Sequence, residues 1–442
     1  MTDLVLRGRR VVTGDGERPA ALAVTAGRIT DVLPHDAAVV AAQEVAYGED
    51  VVLLPGLVDT HVHLQDPGTD WEGFGPGTRA AAAGGVTTVV DMPVDSVPPT
   101  VDVPAVEAKR AAARGRCHVD VGFWAGATAD NLGLLPALAG AGVLGAKAFL
   151  VDPGVPGFTA LPVGLLPAAG KVLARLGLPL LVHAELPGPS AAGPCPRYAD
   201  HLAAHPARRE TDAVEAVVAA ARESGCRMHV VHVTTARAAA TIGAARRAGV
   251  PVSGETCPHL LALAAQDVPD RATEYTVGPP LRDRANALAL WDALVAGDLD
   301  LVVSDHSPAA PGPGGDFATA APGIAGVELG LPVVWSLARE RGVPLPTVAR
   351  WMSAAPAAFA GLGAKGALAP GRDADVAVLD PDATFVVTPE SLRTRRSRTP
   401  YAGRTLHGVV RATWLRGRLV DDTPAGRLLA AAGRSPACAS SS

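Results

Sequence analysis

Apolar positions along this chain fall into two textures. Through the middle, near-continuous apolar runs alternate with Ala-rich amphipathic stretches. The runs are Leu57–His63, Val86–Met92, His118–Trp124, Gly145–Leu150, Pro179–Glu185, Met228–Thr234, Val250–Glu255 and Leu299–Asp305. Helical spacing of the apolar positions marks Gly77–Ala83, Val103–Arg114, Leu165–Leu176, Thr211–Ser224, Ala236–Ala248 and Asn286–Ala296. A strand covered on both faces meets no water on either side, so it carries no polar alternation. Eight such runs, most of them followed by a helix, predict an α/β fold in which parallel strands close into a (β/α)8 TIM-like barrel.

The two ends read differently. Leu4–Leu6, Leu22–Thr25, Ile29–Val32 and Val51–Leu54 are short strand-like runs, several of them divided by Gly-containing turns. The same texture returns in Ala374–Leu379, Thr384–Val387, Val409–Leu415 and Leu419–Val420. Strands from both ends are expected to pair into one small β domain, residues 1–54 with 367–442, beside a barrel of residues 55–366. From about Thr423 the chain is rich in Ala and Ser with little pattern, and is expected to be loose.

Composition narrows the function. With 442 residues there is room for a large catalytic domain and a smaller companion. A net charge of −5 supplies no basic field for nucleic acid. No uncharged apolar run approaches the roughly 18–20 residues of a membrane span, and the N-terminus lacks the apolar stretch of a secretory signal. Cys117, Cys195, Cys226, Cys257 and Cys438 are scattered, with no C-x-x-C pair. They predict neither a disulfide framework nor a structural zinc site, and a reducing cytoplasmic setting is expected.

The candidate chemistry sits at the ends of the runs. His61 and His63 end the first, Lys147 lies in the fourth, His183 near the end of the fifth and His232 near the end of the sixth; Asp305 closes the eighth. In a barrel, the C-terminal ends of the strands converge on one face. Residues i and i+2 of a strand share a side, so His61 and His63 can grip one ion. Imidazole with carboxylate suits zinc, iron, manganese or cobalt. Singly, each residue also has a plainer reading as hydrogen-bonded core or a turn cap, and His118, His201, His205, His229 and His407 are left there. Coincidence at the strand ends is what separates the six from the rest. Lys147 adds a second signal: only four of the 39 basic residues are lysines (Lys109, Lys147, Lys171, Lys365), and this one lies in an apolar run. Burial drives an ammonium toward the neutral amine, which can react with CO2 to give an anionic carbamate able to bridge two cations.

The segment Pro55-Gly56-Leu57-Val58-Asp59-Thr60-His61-Val62-His63 resembles the opening motif of the cyclic amidohydrolases, the family of dihydroorotases, hydantoinases and allantoinases. The likeness runs from Leu4 to about Val420 and is nearest to the allantoinase branch. It is carried there by Asp70–Phe74, Gly84–Pro93, Val119–Trp124, Glu255–His259, Val303–Pro308 and Thr399–Arg404. The resemblance implies a barrel flanked by a β-sandwich built from both chain ends, and a homo-oligomer, commonly a tetramer. It also implies two divalent ions, zinc above all. His61, His63 and Asp305 would hold one and His183 and His232 the other, bridged by carboxylated Lys147 and a hydroxide. Asp305 would be the catalytic proton carrier, and the reaction the opening of a cyclic ureide in purine catabolism, allantoin to allantoate.

Departures from neighbouring branches bear on the substrate. Dihydroorotases usually carry Arg where Gln65 stands and Asn where Val94 stands, and hydantoinases a Tyr that residues 148–157 lack. Allantoinases more often show Asn-Glu at Gln65-Asp66 and Asn at Asp95, and a Gly-Gly-Ile pattern where Pro322-Gly323-Ile324 stands. Gln65, Asp95, Gly278 and Gly323 are the candidate substrate contacts, the two glycines through their backbones. A hydantoinase-like or dihydroorotase-like ring amidase is the alternative activity. A catalytically silent scaffold is the alternative class, and the intact ligand set argues against it.

Overall fold

The computed structural model describes residues 2–188, 193–309 and 315–431. Its strands are β1 (Thr2–Thr13), β2 (Gly16–Thr25), β3 (Arg28–Leu33), β4 (Ala41–Tyr47), β5 (Val52–Pro55), β6 (Leu57–Val62), β7 (Val86–Asp91), β8 (Asp120–Phe123), β9 (Ala125–Gly126), β10 (Ala146–Phe149), β11 (Leu180–His183), β12 (Met228–Val230), β13 (Val252–Thr256), β14 (Leu301–Val302), β15 (Val376–Val386), β16 (Thr405–Leu415) and β17 (Arg418–Leu419).

Every one of the eight apolar runs contains a barrel strand. β6, β7 and β8 pair in parallel, and so do β9 through β14. The two arcs meet where the backbone N–H of Leu144 donates to Phe123 O (2.9 Å) and that of Ala125 to Gly145 O (3.0 Å). The ring closes where Val62 bridges His306 in parallel and the N–H of His63 donates to His306 O at 2.7 Å. Helices cover the outside. Their starts are fixed by side chains that accept otherwise unpaired N–H groups: Asp102 for Ala105, Thr235 for Ala238 and Asp283 for Asn286. Two of the helices stop at glycines in the left-handed region, Gly225 (φ 67°) and Gly297 (φ 79°), where a side chain would cost energy. An Ala-rich outer shell fits this role, because small residues let helices approach the strands closely.

Both chain ends join one eight-stranded sheet in the order β17-β16-β15-β5-β1-β2-β3, with β4 beside β1. It encloses a core of its own, including Leu4, Leu6, Leu22, Ile29, Leu53, Val376 and Trp414. These strands are longer than the apolar runs predict: β1 and β2 run 12 and 10 residues, and β15 joins two expected runs across an irregularity between Asp380 and Thr384. Among the described residues no helix is long and apolar enough to cross a membrane.

The stretch from Thr423 is not loose as far as Ala431. The N–H groups of Gly426, Leu429 and Ala431 donate to Cys117, Val121 and Gly142, and that of Val121 donates to Arg427 O. Backbone pairing of this kind requires no hydrophobic periodicity, so composition gave no sign of it. Cys438, which belongs to the remaining tail, lies outside the described residues.

The same floor carries a buried charge knot. Lys365 Nζ lies 2.6 Å from Asp120 Oδ2, 2.9 Å from Asp373 Oδ2 and 2.8 Å from Asp375 Oδ2. Asp120 opens β8, and Asp375 immediately precedes β15. The Arg416 guanidinium and the Arg427 N–H reach the same Asp120 carboxylate. Burial would lower the Lys365 pKa, but the three carboxylates push it up instead. Removing one member strands the others without compensation. Lys365→Met should therefore shift the chemical-denaturation transition by the equivalent of about 3–5 kcal/mol; a shift within the about 1 kcal/mol of a surface pair would show the knot to be dispensable.

Candidate metal centre

All six predicted ligands arrive at the C-terminal face. His61 lies in β6 and His63 one residue past it; Lys147 lies in β10, His183 ends β11, His232 follows β12 by two residues, and Asp305 follows β14 by three. Asp305 Oδ1 is 3.1 Å from His61 Nε2 and 3.5 Å from His63 Nε2. The His61 and His232 rings are 5.5 Å apart, and His183 Nδ1 faces His232 Nε2 at 3.0 Å. Phe149 stacks on His183 and supports Lys147, whose Nζ sits 4.4 Å above its ring.

The backbone is distorted at the same place. Gln65 (φ 56°), Asp95 (φ 63°), His232 (φ 37°) and Asp305 (φ 49°) adopt left-handed conformations that cost about 1–3 kcal/mol each. Only seven described non-glycine residues do so, and four of them cluster here. Strain concentrated at one mouth means the surrounding barrel fixes these side chains instead of letting each relax.

Electrostatics sorts the groups into neutral donors and anions, with one exception: burial would lower His63, but its hydrogen bonds to Asp305 and Asp95 push it up to about 9, so a cation would have to displace its proton. Burial lowers the pKa of His61 and of His183, and that of His232 well below its ordinary value, so these imidazoles keep free lone pairs at neutral pH. Burial would raise Asp305, but His61, His63 and His232 hold it well below the carboxylate range. Burial also pushes the Lys147 amine down to about 8. The other three lysines reach carboxylates: Lys109 to Asp91, Lys171 to Glu223, and Lys365 as above. Lys147 makes no hydrogen bond or ion pair among the described residues. Three neutral imidazoles, a fourth whose proton a cation can displace, an ionised carboxylate and a buried, unpaired amine make a donor set that fits divalent cations.

Behind this set stands a layer of carboxylates that the sequence reading did not single out. Glu255 accepts from His61 Nδ1 (2.5 Å) and His229 Nε2 (3.0 Å). Burial would raise it, but these two rings hold it at about 2. Glu185 lies 3.4 Å from His183 Nε2 and 3.1 Å from His205 Nδ1. Asp59 accepts the N–H groups of His61 and Ser304. A charged residue inside an apolar run was the available signal, since a buried carboxylate requires partners. His205 and His229, read as core, therefore touch the groups that orient the ligands; His118 pairs with Asp421 O, away from the centre.

The expected substrate contacts divide. Asp95 faces a ligand instead: its Oδ2 lies 2.8 Å from His63 Nδ1. Gln65 donates its amide N–H to Pro308 O at 3.2 Å, while its buried Oε1 has no partner. Gly323 has its N–H committed to Thr276 O (2.9 Å), and a Cβ there would lie 1.9 Å from Ser307 O. Gly278 is exposed, with open space where a side chain would stand.

Residues 52–420 match the Amidohydrolase family. The chain is 51% identical to the allantoinase of Streptomyces avermitilis, covering 97% of this chain and 98% of that protein. It is 38% identical to the allantoinase of Saccharomyces cerevisiae, covering 95% and 97% respectively. Among solved structures it is similar to an L-hydantoinase (dihydropyrimidinase) from Arthrobacter aurescens, with a TM-score of 0.89 and 27% identity over 97% of this chain and 100% of that one. A dihydropyrimidinase from Brevibacillus agri gives 0.88 and 27% over 97% and 98%.

Carboxylates that hold a ligand's second nitrogen fix its tautomer and orientation. Asp95→Ala and Glu255→Gln should each weaken divalent-metal retention by about 10- to 100-fold in a chelator competition. Unchanged retention in both would mean that His63 and His61 are positioned by packing alone.

Proposed function

The chain belongs to the amidohydrolase family, and on that footing we propose that it opens the ring of allantoin by hydrolysis, giving allantoate. The observation that carries this reading is the gathering of four imidazoles and ionised Asp305 around the partnerless amine of Lys147. His61, His63 and Asp305 would hold one divalent ion and His183 and His232 the other, with Lys147 as a carbamate between them. Zinc suits this mixture of nitrogen and oxygen donors best. To form the carbamate, the Lys147 nitrogen bonds to the carbon of CO2 and one proton leaves to solvent.

When bound, such ions supply Lewis-acid activation of water and of an amide carbonyl. The protein's own residues do the remainder. Asp305 Oδ takes the proton of the attacking water as its oxygen adds to the ring amide carbon. It returns that proton to the ring nitrogen as the C–N bond breaks, so the amine leaves neutral. Glu255 and Asp95 keep His61 and His63 turned toward Asp305 throughout. The free Oε1 of Gln65 suits a ureide, a ring rich in N–H donors, and the loops at Gly278 and Gly323 would flank it through backbone groups. Asp95 serves His63 in this reading and not the substrate.

We assign residues 1–54 and 367–442 to the composite sheet domain and 55–366 to the barrel, on the strand pairing described above. A cytoplasmic homotetramer is the setting we propose; the four described cysteines are free and buried, which fits a reducing compartment.

A panel of allantoin, hydantoin, dihydrouracil and dihydroorotate, assayed on protein of known metal content, tests the substrate. Allantoin should be opened faster than the others by about 100-fold or more, with about two ions per chain. Turnover of another ring with allantoin untouched would sink this substrate and favour a hydantoinase-like activity. Fewer than about one ion per chain, with nothing restored by zinc, cobalt or manganese, would favour a silent scaffold.

Two substitutions test the roles. Asp305→Asn should lower kcat by roughly 100- to 10,000-fold. Lys147→Ala should lose metal and activity together, with part of both restored by short carboxylic acids. Full activity and metal content in Lys147→Ala would remove the carbamate from the assignment.

A further inference from the structure

Strand β13 supplies none of the residues assigned to the two ions, yet its C-terminal end turns Cys257 and His259 into the same space. Both are buried, at 0% and 2% exposure. One donor atom each of Cys257, His259 and Asp305 lies within 4.8 Å of the other two, the same closeness that His61 and His63 have with Asp305. Asp305 therefore belongs to two donor sets at once. Neither the Cys257 thiol nor the His259 ring has a hydrogen-bond partner among the described residues, so nothing else occupies these donors.

We propose that Cys257, His259 and Asp305 form a third cation site, for a thiophilic divalent ion such as zinc or cadmium, and that filling it withdraws the catalytic carboxylate from the reaction. One thiolate, one imidazole and one carboxylate are a donor set that zinc takes readily. With bonds of about 2.3 Å to sulfur and about 2.0–2.2 Å to nitrogen and oxygen, a tetrahedral ion spaces its ligands roughly 3.3–3.7 Å apart. Small side-chain rotations close the difference from 4.8 Å.

Loading releases a proton. On binding, the S–H bond breaks, a sulfur–metal bond forms and one proton passes to solvent. Because Asp305 is shared with His61 and His63, the site brings only Cys257 and His259 as donors of its own, so it fills after the others, at metal excess, and works as an inhibitory stop. Once bound there, Asp305 can no longer carry the proton of the attacking water. The inference rests on the proposed function only for that role of Asp305; the existence of the site stands on its own donors.

The test is a titration of the full-length holoenzyme with cobalt and with cadmium. Beyond the first two equivalents, a thiolate-to-metal charge-transfer band should grow in the ultraviolet while turnover falls in parallel. Cys257→Ser and Cys257→Ala should lose the band and raise the inhibitory metal concentration by about tenfold or more, each relative to its own metal-limited rate. Absence of the band in the unaltered chain, or its persistence in both variants, overturns the proposal. If neither variant folds, the band in the unaltered chain, judged together with the parallel loss of turnover, decides. A Cys257-dependent band that appears before two equivalents are bound would support the third site and count against the two-ion centre instead.

Discussion

A carboxylate stays ionised inside a protein only where positive charge or hydrogen-bond donors surround it, and the mouth of this barrel is arranged around that constraint. Asp305 sits half-buried among imidazoles that lower its pKa; burial holds those of His61 and His232 neutral, while Asp305 and Asp95 push His63 up to about 9. A divalent cation would take the place of the proton that Asp305 and Asp95 favour on His63. Glu255 and Asp95 extend the arrangement outward, taking the far nitrogens of His61 and His63 and leaving the near ones aimed at Asp305. The left-handed backbone at His232 and Asp305 is tolerated because strands of the barrel hold both flanks.

The four lysines show how differently one residue type is used. Lys109 and Lys365 are buried but neutralised by aspartates, Lys171 is an exposed ion pair, and Lys147 is buried with no ion pair among the described residues. A buried ammonium without a partner is costly. The proposed carbamate would account for its position beside the histidines.

Stability and chemistry occupy opposite ends of the barrel. At the floor, the Lys365–Asp120–Asp375 knot and the Thr423–Ala431 strap bind the strand starts to the sheet built from both termini. At the mouth, strand ends and irregular backbone carry the candidate ligands. This division, usual for barrels of this architecture, lets the mouth keep strained and electrostatically costly groups while the floor and the Ala-packed shell hold the strands in place.

The barrel was legible in the sequence because strands buried on both faces leave unbroken apolar runs, and because residues at run ends share one face whatever their distance in the chain. His61, His63, Lys147, His183, His232 and Asp305 could be collected on that rule alone. The carboxylates Glu255, Glu185 and Asp59 were visible as charges inside apolar runs, but nothing in sequence says which histidine each one meets. That pairing is set by the angular order of strands around the ring. The assignment of Asp95 to His63, the anchoring of Thr423–Ala431 and the sharing of Asp305 between His61 and Cys257 have the same origin. They are contacts between segments that carry no common period, and only closure of the barrel brings them within bonding distance.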